Sequence, residues 1–122
     1  MRLLALTCTL GLSAITLAAT AAGAPTKDSF GLKGEVYRAG FKIEMKNSAN
    51  RKLTTTKAGT YRIKIEDEAT IHNFRLRGPG VNRATSVPRT TETIWTVRLK
   101  RGTYTFLCDP HASNMRGTFR VT

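Results

Sequence analysis

A two-residue alternation of apolar and polar side chains, running from Gly34 to the C terminus, constrains the fold more than any other feature of this sequence. Because successive side chains of a strand point to opposite faces, this period predicts strands with one buried and one exposed face. Its inward members are Phe41, Ile43, Met45, Tyr61, Ile63, Ile65, His72, Phe74, Leu76, Trp95, Val97, Leu99, Tyr104, Phe106, Cys108, Phe119 and Val121. Turn-forming runs such as Gly78-Pro79-Gly80 separate the segments. The pattern predicts an all-β protein, either a sandwich or a barrel.

The first 24 residues have a different character. Arg2 precedes an apolar run from Leu3 to Ala22, which ends in small residues. This order is typical of a secretory signal peptide, so we predict that residues 1–24 are removed and that the protein is exported, to the periplasm or the cell exterior. A retained membrane anchor is the alternative, because the run is about long enough to span a bilayer. Residues 25–33 are predicted to be a lead-in segment, and residues 34–122 to be the folded domain.

Export changes the meaning of the cysteines and of the charge. Removal of residues 1–24 would leave 98 residues, lower the net charge from +12 to +11, and leave Cys108 as the only cysteine. Cys8 and Cys108 would then never form a disulfide, and a lone thiol in an oxidising compartment needs protection or a use. The positive charge is spread along the chain and predicts a basic surface that attracts acidic partners. Export argues against nucleic acid as the partner.

Three residue types with affinity for soft metals are concentrated in one short segment. Cys108, His111 and Met115 lie within eight residues of one another, and His72 is the only other histidine in the chain. Two histidines, a cysteine and a weakly bound methionine form the ligand set of a blue copper site. The thiolate couples strongly to copper, the imidazoles complete a trigonal plane, and the thioether favours Cu(I). These four residues are therefore the predicted ligands of one copper ion.

Two other chemistries use some of the same residues. Zinc also binds thiolates and imidazoles, although the thioether favours copper. Cys108 could instead be a nucleophile with His111 as its base, but that reading leaves His72 and Met115 without roles. Taken singly, each residue could also be ordinary core filler or a surface group. The joint occurrence of all four at this spacing favours the metal site.

Longer motifs around these residues resemble the cupredoxins of the plastocyanin, pseudoazurin and amicyanin type. The similarity extends over residues 34–122 and is carried by His72-Asn73-Phe74, by the run from Gly102 to Cys108, and by Cys108-x-Pro110-His111 with Met115 and Gly117 after it. It implies a Greek-key β-sandwich with one type 1 copper ion between loops at one end. The implied equatorial ligands are His72, Cys108 and His111, and the implied axial ligand is Met115.

The resemblance also implies roles for three further features. His111 would be the partly exposed ligand through which electrons pass, and Asn73 would tie the two ligand loops together near the thiolate. Pro110 has no N–H and cannot donate a hydrogen bond to the sulfur. Three residues separate His111 from Met115, one fewer than is usual in plastocyanins and one more than in amicyanins. The distance from the axial thioether to the metal is therefore not fixed by the resemblance.

The predicted function is the carriage of single electrons between exported redox proteins, without enzymatic activity. The expected partners have acidic docking surfaces, and the chain is expected to be a monomer that meets membranes only through those partners. Storage or delivery of copper without redox turnover is the main alternative, although the Met-rich or His-rich tracts typical of such proteins are missing from this sequence. An adhesion module with vestigial ligands is a third class, which the intact ligand set disfavours.

Overall fold

The computed structural model describes residues 31–122, which form nine strands and one 3₁₀ turn at Asp109–His111. The strands are β1 (Leu32–Val36), β2 (Ile43–Asn47), β3 (Thr55–Thr56), β4 (Gly59–Asp67), β5 (Arg75–Gly78), β6 (Val81–Ala84), β7 (Thr91–Leu99), β8 (Gly102–Leu107) and β9 (Arg116–Val121). The predicted all-β fold is therefore confirmed, whereas the Greek-key connectivity stays a prediction. The predicted signal peptide lies outside the described residues. Within residues 31–122 there is no helix long and apolar enough to cross a bilayer.

The strands form two mixed sheets. The first sheet has the order β2-β1-β4-β7, in which β1 runs parallel to β4 and the other pairs are antiparallel. The second sheet has the order β3-β9-β8-β5-β6, in which only the short β3 is parallel to its neighbour. Both sheets direct apolar side chains into one shared core. Phe74, which directly precedes β5 of the second sheet, meets Trp95 of β7 edge to face. Their ring centroids lie 6.2 Å apart, as expected of a β-sandwich.

Most of the predicted inward residues are buried, and two expectations were wrong. Phe41 lies before β2 and is 57% exposed, because the chain turns at Gly40 with φ +77° and directs the aromatic ring away from the core. His72 is buried but lies before β5 rather than on a strand. The next two backbone N–H groups donate to side chains, Cys108 Sγ and Thr85 Oγ1, instead of to a neighbouring strand. The first strand also begins at Leu32, two residues before the predicted domain start.

We call the two ends of the sandwich the cysteine end and the tyrosine end. At the cysteine end, β8 finishes at Leu107 and the chain continues into Cys108. At the tyrosine end, β5 and β6 are joined by the two-residue turn Pro79-Gly80, whose glycine has φ +72°. There the Tyr104 hydroxyl accepts a hydrogen bond from the Lys100 N–H (2.9 Å) and donates one to the Pro79 carbonyl (2.8 Å).

Candidate metal centre

Three donor atoms from distant parts of the sequence meet at the cysteine end. His72 Nδ1 lies 3.0 Å from His111 Nδ1, and Cys108 Sγ lies 3.7 Å from the former and 3.6 Å from the latter. For metal–nitrogen bonds of about 2.0–2.1 Å and a metal–sulfur bond of about 2.3 Å, tetrahedral or trigonal angles separate nitrogen from sulfur by about 3.5–3.8 Å. His72, Cys108 and His111 therefore lie close enough to bind one metal ion.

Burial and a hydrogen bond fix the orientation of His72. Its side chain is buried, with 1% of its surface exposed, and its Nε2 lies 3.1 Å from the carbonyl oxygen of Gly40. A carbonyl can only accept, so Nε2 carries the proton and Nδ1 presents its lone pair to the centre. Anchoring the outer nitrogen of a ligand histidine is the usual way in which proteins orient the inner one.

The segment after β8 returns to the sheet through a closed loop. Pro110 lies within the 3₁₀ turn, where its fixed φ is compatible with the turn and its missing N–H needs no partner. The N–H of His111 donates to the Cys108 carbonyl (3.2 Å), and the N–H of Met115 donates to the His111 carbonyl (2.8 Å). The N–H of Cys108 then donates to the Met115 carbonyl (3.0 Å), so the backbone of Met115 lies beside that of Cys108. The Met115 side chain is fully buried.

Asn73 connects the two segments that carry the histidines. Its backbone N–H donates to the buried Cys108 sulfur at 3.5 Å. Its side-chain amide donates to Asp109 Oδ2 (2.7 Å) and to the Thr85 carbonyl (3.2 Å), and its Oδ1 accepts from the Asp109 N–H (2.7 Å). The cupredoxin resemblance implied that Asn73 ties the ligand loops together, and it did not identify Asp109 as the other half of the link.

Asp109 is in turn held by an arginine of β5. Arg75 Nε donates to Asp109 Oδ1 at 2.7 Å, and this hydrogen bond is the main cause that lowers the pKa of Asp109, with partial burial opposing it. Both Asp109 oxygens therefore have partners, one in Arg75 and the other in Asn73. The carboxylate closest in sequence to the thiol is occupied in this pairing.

A second chain of hydrogen bonds supports the residues after His72. The Thr85 hydroxyl accepts from the Phe74 N–H (2.8 Å) and donates to Asp67 Oδ2 (2.6 Å), and the Ala69 N–H donates to Asp67 Oδ1 (3.3 Å). Asp67 is 2% exposed, and this burial raises the pKa of its carboxyl group, although its hydrogen bonds oppose the rise. Sequence reasoning missed Asp67 and Thr85, because nothing in their local pattern distinguishes them from ordinary strand-end residues.

Phe41 covers the two histidines from outside. Its ring meets that of His111 edge to face at a centroid distance of 4.9 Å, and that of His72 at 5.5 Å. His111 is half-buried, whereas Phe41 and Ile71 are 57% and 59% exposed. The more accessible of the two histidines is thus bordered by apolar surface.

No protein-family model and no curated protein matches this chain. The choice of metal and the function therefore have to be argued from its own residues.

Proposed function

We propose that this protein is an exported type 1 copper protein that carries single electrons between redox partners. The observation that carries the proposal is a fully buried thiol within 3.6–3.7 Å of one nitrogen from each of two histidines. A copper ion bound by these residues would supply a one-electron couple between Cu(I) and Cu(II). The cupredoxin resemblance of the motifs points to the same class.

The remaining surroundings favour copper over zinc. Structural zinc sites use four strong ligands from Cys, His, Asp or Glu. Here the cluster offers three, and the adjacent carboxylate of Asp109 is taken by Asn73 and Arg75. The buried residue that the loop brings back beside Cys108 is Met115, whose thioether is a soft, weak donor that suits copper.

The protein's contribution to electron transfer is to hold its ligands still. His72 is anchored by Gly40, and Cys108 is held between the hydrogen bond from Asn73 and the closed loop to Met115. Ligands that are already in place need not move when the charge at the site changes. The half-buried His111 is the ligand nearest to solvent and provides the exit for the electron. The proposal includes no catalytic activity.

Addition of copper to purified protein tests this function directly. Charge transfer from the Cys108 thiolate to Cu(II) should give an intense visible band at one equivalent of copper. Cys108→Ser should abolish the band, and Ser113→Ala, a change at an exposed residue of the same loop, should leave it intact. A colourless copper complex of the unaltered protein would contradict electron carriage and would favour storage or delivery of copper.

The role of Met115 has its own measurement. Replacement of a soft thioether by a harder oxygen donor favours Cu(II), so Met115→Gln should lower the reduction potential while copper stays bound. Met45→Leu removes the core methionine of β2 and should leave the potential unchanged. Voltammetry of the three proteins decides the matter. Equal potentials for Met115→Gln and the unaltered protein would show that Met115 is not an axial ligand.

A further inference from the structure

The outer face of the first sheet carries lysines and glutamates that form ion pairs with one another. Lys33 lies 2.6 Å from both Glu35 and Glu66, and Lys64 lies 2.6 Å from Glu66 and 3.0 Å from Glu92. Burial would raise the pKa of Glu35, but hydrogen bonds from its neighbours, Lys33 first among them, outweigh it and lower the pKa to about 2. The lysines of this face are thus matched with carboxylates on neighbouring strands.

The outer face of the second sheet is different, because its charges are arginines with a single carboxylate among them. The alternation of β5, β8 and β9 directs four arginines outward, and we call them the arginine face: Arg75, Arg77, Arg116 and Arg120. Arg75 is paired with Asp109. Within residues 31–122, no carboxylate forms an ion pair with Arg77, Arg116 or Arg120.

The strand register places this charge in a compact array. Arg75 and Arg116 both lie opposite Leu107, one on each side, which puts their backbones roughly 10 Å apart at the usual strand spacing. Arg77 lies opposite Thr105, and Arg120 lies opposite Thr103. Charges at this spacing combine into one positive field over the face. Arginine forks bind carboxylates through paired hydrogen bonds, and threonine hydroxyls between them add further donors.

The arginine face begins at the cysteine end. Leu107 directly precedes Cys108, Arg116 directly follows Met115, and Arg75 holds the aspartate that is bonded to Asn73. A protein bound to this face would therefore lie against both ends of the loop that contains His111, the ligand proposed as the exit for the electron.

We propose that the arginine face is the docking surface for the redox partner, and that the partner presents a carboxylate-rich surface to it. This inference rests on the proposed function, because it concerns the exchange of an electron with the copper site. In one encounter a single electron passes between the partner's redox centre and copper, so one of these two centres is oxidised and the other is reduced. Within residues 31–122, Asp109 is the single carboxylate that offers complementary charge to the face, and its ion pair is with Arg75.

The experiment uses copper-loaded protein and two forms of cytochrome c. The native form is basic, and the form succinylated on its lysines is acidic. Stopped-flow absorbance of the haem follows the transfer, in which Fe(II) becomes Fe(III) as Cu(II) becomes Cu(I), or the reverse where the potentials require it. The test variant is Arg77→Gln/Arg116→Gln. The matched control is Arg51→Gln/Arg98→Gln, which removes the same charge from two exposed arginines outside the face.

With the acidic cytochrome at low salt, the test variant should react at least about tenfold more slowly than the unaltered protein, and the control less than about twofold more slowly. The difference should shrink as salt screens it. With the basic cytochrome, the test variant should react faster. The visible band and the voltammetric potential of both variants should match the unaltered protein, so that a rate change reports docking rather than driving force.

Equal slowing of both variants would overturn the proposal, because net charge alone would then guide the encounter. Unchanged rates in the test variant, together with loss of its retention on heparin, would also overturn it and would assign the face to anionic polysaccharide. Absence of a visible band in the unaltered protein would instead reject the proposed function, which distinguishes the two failures.

Discussion

The tyrosine end and the cysteine end of the sandwich close the same core in different ways. At the tyrosine end, Tyr104 stacks on Phe119 at 5.4 Å, and its hydroxyl satisfies one backbone donor and one backbone acceptor. At the cysteine end, the buried groups include a histidine, an asparagine and an aspartate. At the tyrosine end, the Tyr104 hydroxyl and the two backbone groups that it contacts satisfy one another. At the cysteine end, the donor atoms of two histidines come together with their lone pairs facing one another.

The two facing nitrogens of His72 and His111 need either a proton or a metal ion between them. In the neutral protein His72 Nδ1 has no proton, since Nε2 is the atom bonded to Gly40. His111 Nδ1, 3.0 Å away, must either carry a proton for that lone pair or share a metal with it. Variants at the two ends should therefore respond differently to metal, and three measurements test this difference.

Metal loading should have the largest effect. The ligand set exists only in the fold, so copper stabilises the native state by mass action, by about 4 kcal/mol at free copper a thousandfold above Kd. Denaturant unfolding with and without copper measures this difference. Cys108→Ser should lose much of the gain, whereas a tyrosine-end variant should keep it. Identical curves with and without saturating copper would show that the three donors do not act together.

Gly78→Ala should have the next largest effect and should act on the tyrosine end alone. A Cβ at this position would collide with the Tyr104 ring, so the buried ring must move. Such overpacking typically costs about 1–3 kcal/mol. The loss should be the same in the apo and copper-loaded proteins, and the visible band should not shift. A changed band would mean that the two ends are coupled through β5 or β8.

Tyr104→Phe should have the smallest effect. It keeps the ring stacked on Phe119 but leaves the Lys100 N–H and the Pro79 carbonyl without their partner. We expect a loss of about 1–2 kcal/mol, most of it from those two groups. Thermal melts of the apo and loaded forms should shift in parallel. A variant that melts like the unaltered protein would indicate that water replaces the hydroxyl.

Local pattern predicted the frame of the molecule and the segment that carries most of the site. The alternation in β4, β7, β8 and β9 is strong because one face of each strand packs on the core. Cys108, His111 and Met115 were recognisable because they share one short loop. The position of His72 beside them was inferred because no other histidine was available and because His72-Asn73-Phe74 resembles a cupredoxin motif, and the structure places its Nδ1 next to both other donors.

The residues that support the ligands could not be predicted from pattern, because they act across long separations. Phe41 has the sequence period of a strand, yet it packs on two rings that lie 31 and 70 positions further along the chain. Gly40 contributes only a carbonyl, which any residue type would provide. Asp67 and Thr85 become informative only when β4 and the segment before β5 are seen together. The supporting roles of these four residues follow from tertiary geometry rather than from composition.

The burial of Cys108 has a consequence for how the protein matures. Its sulfur is fully covered in the fold but exposed in the unfolded chain, where an oxidant could reach it. His72 lies 36 residues away, and the pairing of β5 with β8 must close that gap before both can hold one ion. The complete set of His72, Cys108 and His111 therefore exists only after β5 and β8 have paired, and until then the thiol lacks the cover that the fold provides. The faster β5 pairs with β8, the shorter the time in which an oxidant can reach the sulfur.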